Sequence, residues 1–319
     1  MRNFRPSSAV AAAKNAARSG FTMVEIAISL AVIGVALVAI IGVLPLGLRV
    51  QRANREQTVI NQDATVFMAA IRNGTRGLDD LTNYVFLITN TVTTYDDTGQ
   101  PKNPPNYYGY TYTGSTLNGA PMSPPFAITN GYRIVGLLST PEYTDANGLA
   151  IPNLSGGGLS NHIVAYVRSL SGPAVEKPPQ LNDSIVREDS FSYRMLSVNA
   201  PLAMNVSEWS SSPTYPFGAE VFYVLTNQVT FWRATNDTTG DIPGLATVWQ
   251  RDGYSEEVAA NSRELQLSFY WPQLPNGNLG PGRQTYRTMV AGQLVQANDT
   301  GQALYFCQPQ SFLNVTNLP

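Results

Sequence analysis

Hydrophobic positions change their spacing twice along the 319 residues. From Phe21 to Leu48 the chain is apolar and carries one charge, Glu25. Ile26 to Leu48 is 23 residues, about 35 Å of helix, which covers a hydrocarbon core of about 30 Å. Helix formers then continue without proline past Arg72. In this stretch Val50, Ala53, Ile60, Ala64, Phe67, Met68 and Ile71 recur mostly at steps of three, four or seven. That spacing predicts an apolar stripe docked on a core. Asn73-Gly74 then offers a left-handed stop.

From Leu78 onward the period shortens to that of strands. Runs rich in Val, Ile, Tyr, Phe and Thr predict strands at 84–89, 107–113, 132–138, 162–170, 190–198, 219–226, 228–233, 264–271, 284–291 and 304–308. Asp97-Thr98-Gly99, Asn118-Gly119, Asn147-Gly148 and Asn276-Gly277 are turn signals between them. The expected fold class is α+β: a long N-terminal helix, transmembrane over about 26–48 and amphipathic beyond, on a large, mainly antiparallel β head. The expected boundaries are a basic leader at 1–20, the helix at 21–73 and the head at 74–319, with a possible subdivision near 172–183.

Charge sharpens this picture. Arg2, Arg5, Lys14 and Arg18 give the first twenty residues +4, with no acid among them. From residue 81 onward eleven basic and seventeen acidic residues leave −6. The whole chain is near neutral, at −2, so nothing argues for nucleic acid. Cys307 is the only cysteine, which rules out an intrachain disulfide and reads as a buried, inert thiol.

The apolar segment admits several ordinary readings. A secretory signal would have a shorter apolar run closed by small residues, and a lipoprotein signal would end on cysteine. A plain signal anchor leaves Glu25 unexplained, because a carboxylate in a membrane-spanning segment is costly and marks function by default. Gly42, Pro45 and Gly47 form a weak point, since an interior proline removes a backbone donor. They predict a kink that extends or melts on assembly.

Gly20-Phe21-Thr22-Met23-Val24-Glu25, after a basic leader and before an apolar helix, resembles the class III signal of type IV pilins and pseudopilins. The resemblance covers roughly residues 15–72. It implies that 1–20 is a prepilin leader, that prepilin peptidase cuts after Gly20, and that Phe21 becomes the N-methylated first residue. It further implies that Glu25 neutralises the terminal amine of a neighbouring subunit during filament assembly. The combination of Leu44-Pro45-Leu46-Gly47-Leu48 with Arg283-Gln284-Thr285-Tyr286-Arg287 is similar to large pilin-like proteins of the Verru_Chthon cassette type. The implied partners are prepilin peptidase, other pilin or pseudopilin subunits, an inner-membrane assembly platform and the lipid bilayer. The implied location is a single-pass inner-membrane protein with an extracytoplasmic head, then an extracellular or periplasmic filament. The large head points to a minor or specialised subunit of a type IV pilus-like or type II secretion filament.

The alternative is a surface-binding module, for adhesion or substrate recruitment, that uses the pilin stem as its anchor. An enzyme is not expected. His162 is the only histidine, and neither Gly-x-Ser-x-Gly nor His-Glu-x-x-His occurs. No cofactor is expected. Calcium is a minority reading on Asp145, Asp237 and Asp241, whose turns place oxygens close together; a plain Asx turn explains them equally. Tyr107, Tyr108, Tyr110 and Tyr112 read either as a sticky surface or as a half-buried strand.

Overall fold

The computed structural model describes residues 20–309 apart from 112–115, 118–119, 122–124, 155, 172–190, 203–205, 226–227, 275 and 300–301. Three of the sequence expectations, the leader at 1–20 apart from its last residue Gly20, the Asn118-Gly119 turn and a subdivision near 172–183, therefore lie outside the described residues. The chain divides into two units, Met1–Arg55 and Glu56–Pro319.

Helix α1 spans Met23–Arg72 and carries Pro45 inside it. Its first part is apolar and exposed, and it is long and apolar enough to cross a membrane or to act as a signal. The helix continues unbroken through Gly42, Pro45 and Gly47; Pro45, having no N–H, cannot donate to the Ile41 carbonyl. The C-terminal end is a Schellman motif. Gly74 N donates to Ile71 O at 3.1 Å, Thr75 N donates to Ala70 O at 3.0 Å, and Gly74 takes φ 54°. A Cβ at Gly74 would also lie 2.1 Å from the Cys307 carbonyl oxygen, so glycine is required there twice over.

After a 3-10 turn at Asp79–Asn83, eighteen strands follow among the described residues. They run β1 Val85–Tyr95, β2 Asn106–Thr111, β3 Thr116–Leu117, β4 Ala120–Pro121, β5 Pro125–Ala127 and β6 Tyr143–Thr144. Next come β7 Gly158–Arg168, β8 Ser192–Pro201, β9 Ser207–Glu208, β10 Thr214–Tyr215, β11 Glu220–Leu225 and β12 Gln228–Ala234. The last six are β13 Thr238–Thr239, β14 Trp249–Arg251, β15 Ser262–Gln273, β16 Leu279–Ala291, β17 Gln293–Asp299 and β18 Gln302–Gln308. Helix α2 is Gly131–Leu138 and α3 is Gly253–Asn261.

The main sheet has eight strands in the order β16-β15-β8-β7-β1-β2-β5, with β6 paired to β7. Every pairing in it is antiparallel except β2 with β5. The chain is thus α+β, with a 50-residue helix ahead of a large antiparallel sheet. A second sheet, β14-β12-β11-β9, has four strands, and β17 with β18 forms a separate hairpin.

Alternation along the strands sets which face is covered. In β8, Tyr193, Met195, Ser197 and Asn199 are buried while the residues between them are half-buried. The main core joins that face to Ile60, Ala64, Phe67 and Ile71 of the distal half of α1. It also takes in Ile134, Val135, Leu137 and Leu138 of α2, with Leu304 and Phe306 of β18. A smaller cluster of Tyr215, Val221, Ala234 and Trp249 belongs to the four-stranded sheet and its flanking segments.

Tyr132–Leu138 is helical where a strand was expected. Asn130 caps the helix, its side chain accepting from Arg133 N at 3.0 Å. Seven of the eight residues of α2 are buried, and an apolar run this short is ambiguous between helix and strand by pattern. Two glycines let the helix sit close to its neighbours: a Cβ at Gly131 would be 1.9 Å from Leu78 O, and one at Gly136 would be 2.8 Å from Leu304 Cβ.

Candidate functional site

Gly20, Phe21 and Thr22 precede the first helical residue, Met23, and all three are exposed. A Cβ at Gly20 would meet nothing within 4 Å, and the Phe21 side chain is 84% exposed. The Gly20–Phe21 peptide bond therefore lies in accessible, non-helical backbone, the state a peptidase must bind.

Glu25 closes a reciprocal capping box with Thr22. Glu25 N donates to Thr22 Oγ1 at 3.3 Å, and Thr22 N donates to Glu25 Oε2 at 2.8 Å. The Thr22 hydroxyl adds a bond to the same oxygen at 2.9 Å. Thr22 O accepts from Ile26 N at 3.2 Å, which makes Thr22 the N-cap. Thr-x-x-Glu is legible in the sequence, and this local reason for Glu25 was missed there. Both members of the box lie after Gly20, so a cut at that bond leaves it intact. Oε1 accepts no hydrogen bond among the described residues, leaving one carboxylate oxygen for another partner. Farther along, a Cβ at Gly42 or Gly47 would meet nothing within 4 Å, so no packing within this unit demands either glycine.

The head answers the remaining candidates one by one. Asp145 Oδ1 accepts from Asn147 N at 2.9 Å and Leu149 N at 2.7 Å, an Asx turn. Asp237 Oδ1 accepts from Phe217 N at 2.8 Å, and Asp241 accepts from the Thr238 hydroxyl. The three carboxylates serve separate local bonds, and among the described residues no three His, Cys, Asp or Glu side chains converge on one point. Asp145 does line a cleft of about 260 Å³ with Asp97, Lys102, Tyr95, Asn153 and Gly157.

Tyr110 is buried in the core and Tyr108 packs against it, whereas Tyr107 is 58% exposed on the opposite face. Tyr112 lies outside the described residues. The described tyrosines thus belong mainly to a strand in its core. His162 is exposed and stands opposite Thr91 of β1. Cys307 is buried, and that burial pushes its thiol up to about 11, far from a reactive thiolate.

Four buried charged residues, Asp63, Arg133, Arg168 and Arg263, escaped the sequence reading. Asp63, on the docked half of α1, is fully buried. Its carboxylate accepts from Leu170 N at 2.9 Å, Ser171 Oγ at 2.7 Å and Tyr193 OH at 3.0 Å. Desolvation raises its pKa above the ordinary aspartate range despite these three bonds. The signal was present in the sequence: residue 63 falls three after Ile60 and four before Phe67, on the apolar stripe. Arg263 of β15 is buried too, and burial lowers its pKa to about 10. Its Nε donates to Asn199 Oδ1 at 3.2 Å, while Nη2 has no hydrogen-bond partner among the described residues.

Comparison of the chain with protein-family models, with curated proteins and with solved structures finds no match.

Proposed function

We propose that this chain is a pilin-like structural subunit, cut after Gly20, methylated at Phe21 and assembled into a filament through its N-terminal helix. The observation that carries the reading is the junction at 20–25. An exposed, non-helical Gly20–Phe21 bond sits directly ahead of a helix whose first turn contains Glu25. The apolar helix behind it supplies the membrane anchor, and the β-sheet head supplies the extracytoplasmic domain. In this reading the chain waits in the inner membrane, where prepilin peptidase and the assembly platform act on it, and then leaves the bilayer for contacts with other pilin subunits. The size of the head favours a minor or specialised position in a pilus or secretion filament.

Glu25 then has two tasks. Through Oε2 it fixes the first turn, and through Oε1 it meets the methylated amine of a neighbour. Taking two charges out of water offsets most of their attraction. The pair therefore works chiefly as a register device, disfavouring subunit placements that leave the carboxylate alone in hydrocarbon.

The test is the intact mass and N-terminal sequence of the protein taken from its native membrane. A chain that begins at Phe21 and is heavier by one methyl group is expected. A chain that still begins at Met1 would end the proposal and leave a simple signal anchor.

A further inference from the structure

Strand β16 is the outermost strand of the main sheet. It is paired on one side to β15 over Ser262↔Ala291 through Gln273↔Leu279. On its other side no strand lies among the described residues. An edge of this length presents a row of unused N–H and C=O groups, ready to template a further strand. Gly280-Pro281-Gly282 blunts one end of β16, since proline cannot donate to a ladder. Arg283 to Val290 has no such interruption.

The side chains on this stretch say which strand the edge accepts. Arg283, Thr285, Arg287 and Met289 are exposed and share the face away from the core. β16 carries no acidic residue. Arg283 stands opposite Tyr270 of β15, with no carboxylate within ion-pairing distance among the described residues. Arg287 meets Glu264 only loosely, at 3.7 Å, with the arginine largely in solvent and the glutamate half-buried. A second copy of this chain is a poor occupant. Antiparallel self-pairing centred on Thr285 would set Arg283 against Arg287 in both directions, and like charges directly opposite are destabilising. The arginines therefore disfavour that self-pairing register and suit the edge to a strand of opposite charge.

We propose that the edge of β16 from Arg283 to Val290 is a docking strand for an extended acidic segment of a partner protein. That segment adds to the main sheet and places two carboxylates, four residues apart, opposite Arg283 and Arg287. Main-chain bonds supply the affinity and the two ion pairs fix register and partner choice. This site is on the head and does not depend on leader processing.

The experiment uses the full chain in detergent micelles and fluorescence anisotropy at low salt. The probe is a labelled peptide of alternating Thr and Val with glutamates four residues apart. Its controls are a lysine counterpart and a copy of the glutamate peptide N-methylated at alternate amides. The glutamate peptide is expected to bind, and the N-methylated copy is not. The Arg283→Glu/Arg287→Gln variant, altered only at exposed side chains, is expected to bind the glutamate peptide about ten-fold more weakly. Equal binding of the lysine and glutamate peptides, or binding insensitive to N-methylation, would overturn the proposal. So would an absence of binding by the unaltered protein.

Discussion

Asp63 occupies a position where the packing of α1 against the sheet would ordinarily call for an aliphatic side chain. Three donors from the 170–171 turn and from Tyr193 converge on its two oxygens, so the carboxylate fixes both the rotation and the height of the distal helix on the sheet. Asp63→Asn keeps the shape but turns an amide N–H₂ toward those donors. The expected loss is about 1–3 kcal/mol, read from chemical unfolding of the full chain in micelles. The raised pKa of Asp63 also sets a sign for pH. Between the unfolded aspartate value and the raised folded value, the native state holds a proton that the unfolded chain has released, so stability falls as pH rises through that window. The advantage of the unaltered chain over Asp63→Asn should therefore grow as the buffer is taken from neutral into the acid range. A gap that shrinks on acidification would contradict the burial argument. Glu25 can be divided in the same spirit. Glu25→Gln retains the capping geometry with Thr22 but not the charge, whereas Glu25→Ala loses both. If the charge meets a neighbour's amine, both variants are cut at Gly20 and neither assembles. Filaments from Glu25→Gln would show that the cap alone accounts for the residue.

At the scale of elements, α1 and the longer strands were legible because their periods are long and one-sided. The strand expected at 264–271 is Ser262–Gln273, and the one at 228–233 is Gln228–Ala234. Helix α2 was not legible, because eight residues are too few to separate helix from strand by period and Ile134-Val135 favours a strand by propensity. Its identity rests on Asn130 as cap and on close approaches that only the fold creates. Gly131→Ala tests this. The new methyl would meet the Leu78 backbone, and overpacking of that kind costs about 1–3 kcal/mol, measurable as a lower unfolding midpoint. Helix α3 was also missed, although Asp252 ahead of Ser255 and Glu256 is a start signal: Asp252 Oδ1 accepts from Ser255 N at 3.2 Å. Pro45 offers a test inside the apolar span. Pro45→Ala returns a donor to the Ile41 carbonyl, and an interior proline costs a helix about 3 kcal/mol. Amides from Gly42 to Arg49 should exchange more slowly in micelles. Unchanged exchange would mean that Pro45 leaves the stretch no looser than its neighbours.

On the scale of the whole molecule, the order of strands was beyond the sequence. β15 lies beside β8, and β1 beside β7, pairings that span sequence separations no local pattern encodes, whereas β15 and β16 are neighbours on either side of the Asn276-Gly277 turn signal. Between β8 and β15 the chain makes a separate excursion. Residues 207–251 build the four-stranded sheet around Tyr215, Val221, Ala234 and Trp249, and α3 then touches β12, β15 and β17 on the return. Trp249 centres this cluster. Its ring meets Tyr215 edge-on with centroids 5.5 Å apart, and its Nε1 donates to Asp241 O at 2.8 Å. Removing it empties the larger part of a small core, and Trp→Ala changes in such settings cost about 3–5 kcal/mol. None of the four residues belongs to the main core, so the loss should be local. In native-state hydrogen exchange, Trp249→Ala should strip protection from β11, β12 and β14 while β7, β8 and β15 keep theirs. Equal loss in both sheets would show that α3 welds them into one cooperative unit, and the excursion would then be a structural part of the head. Local loss would mark it as a module that the main sheet carries and does not need.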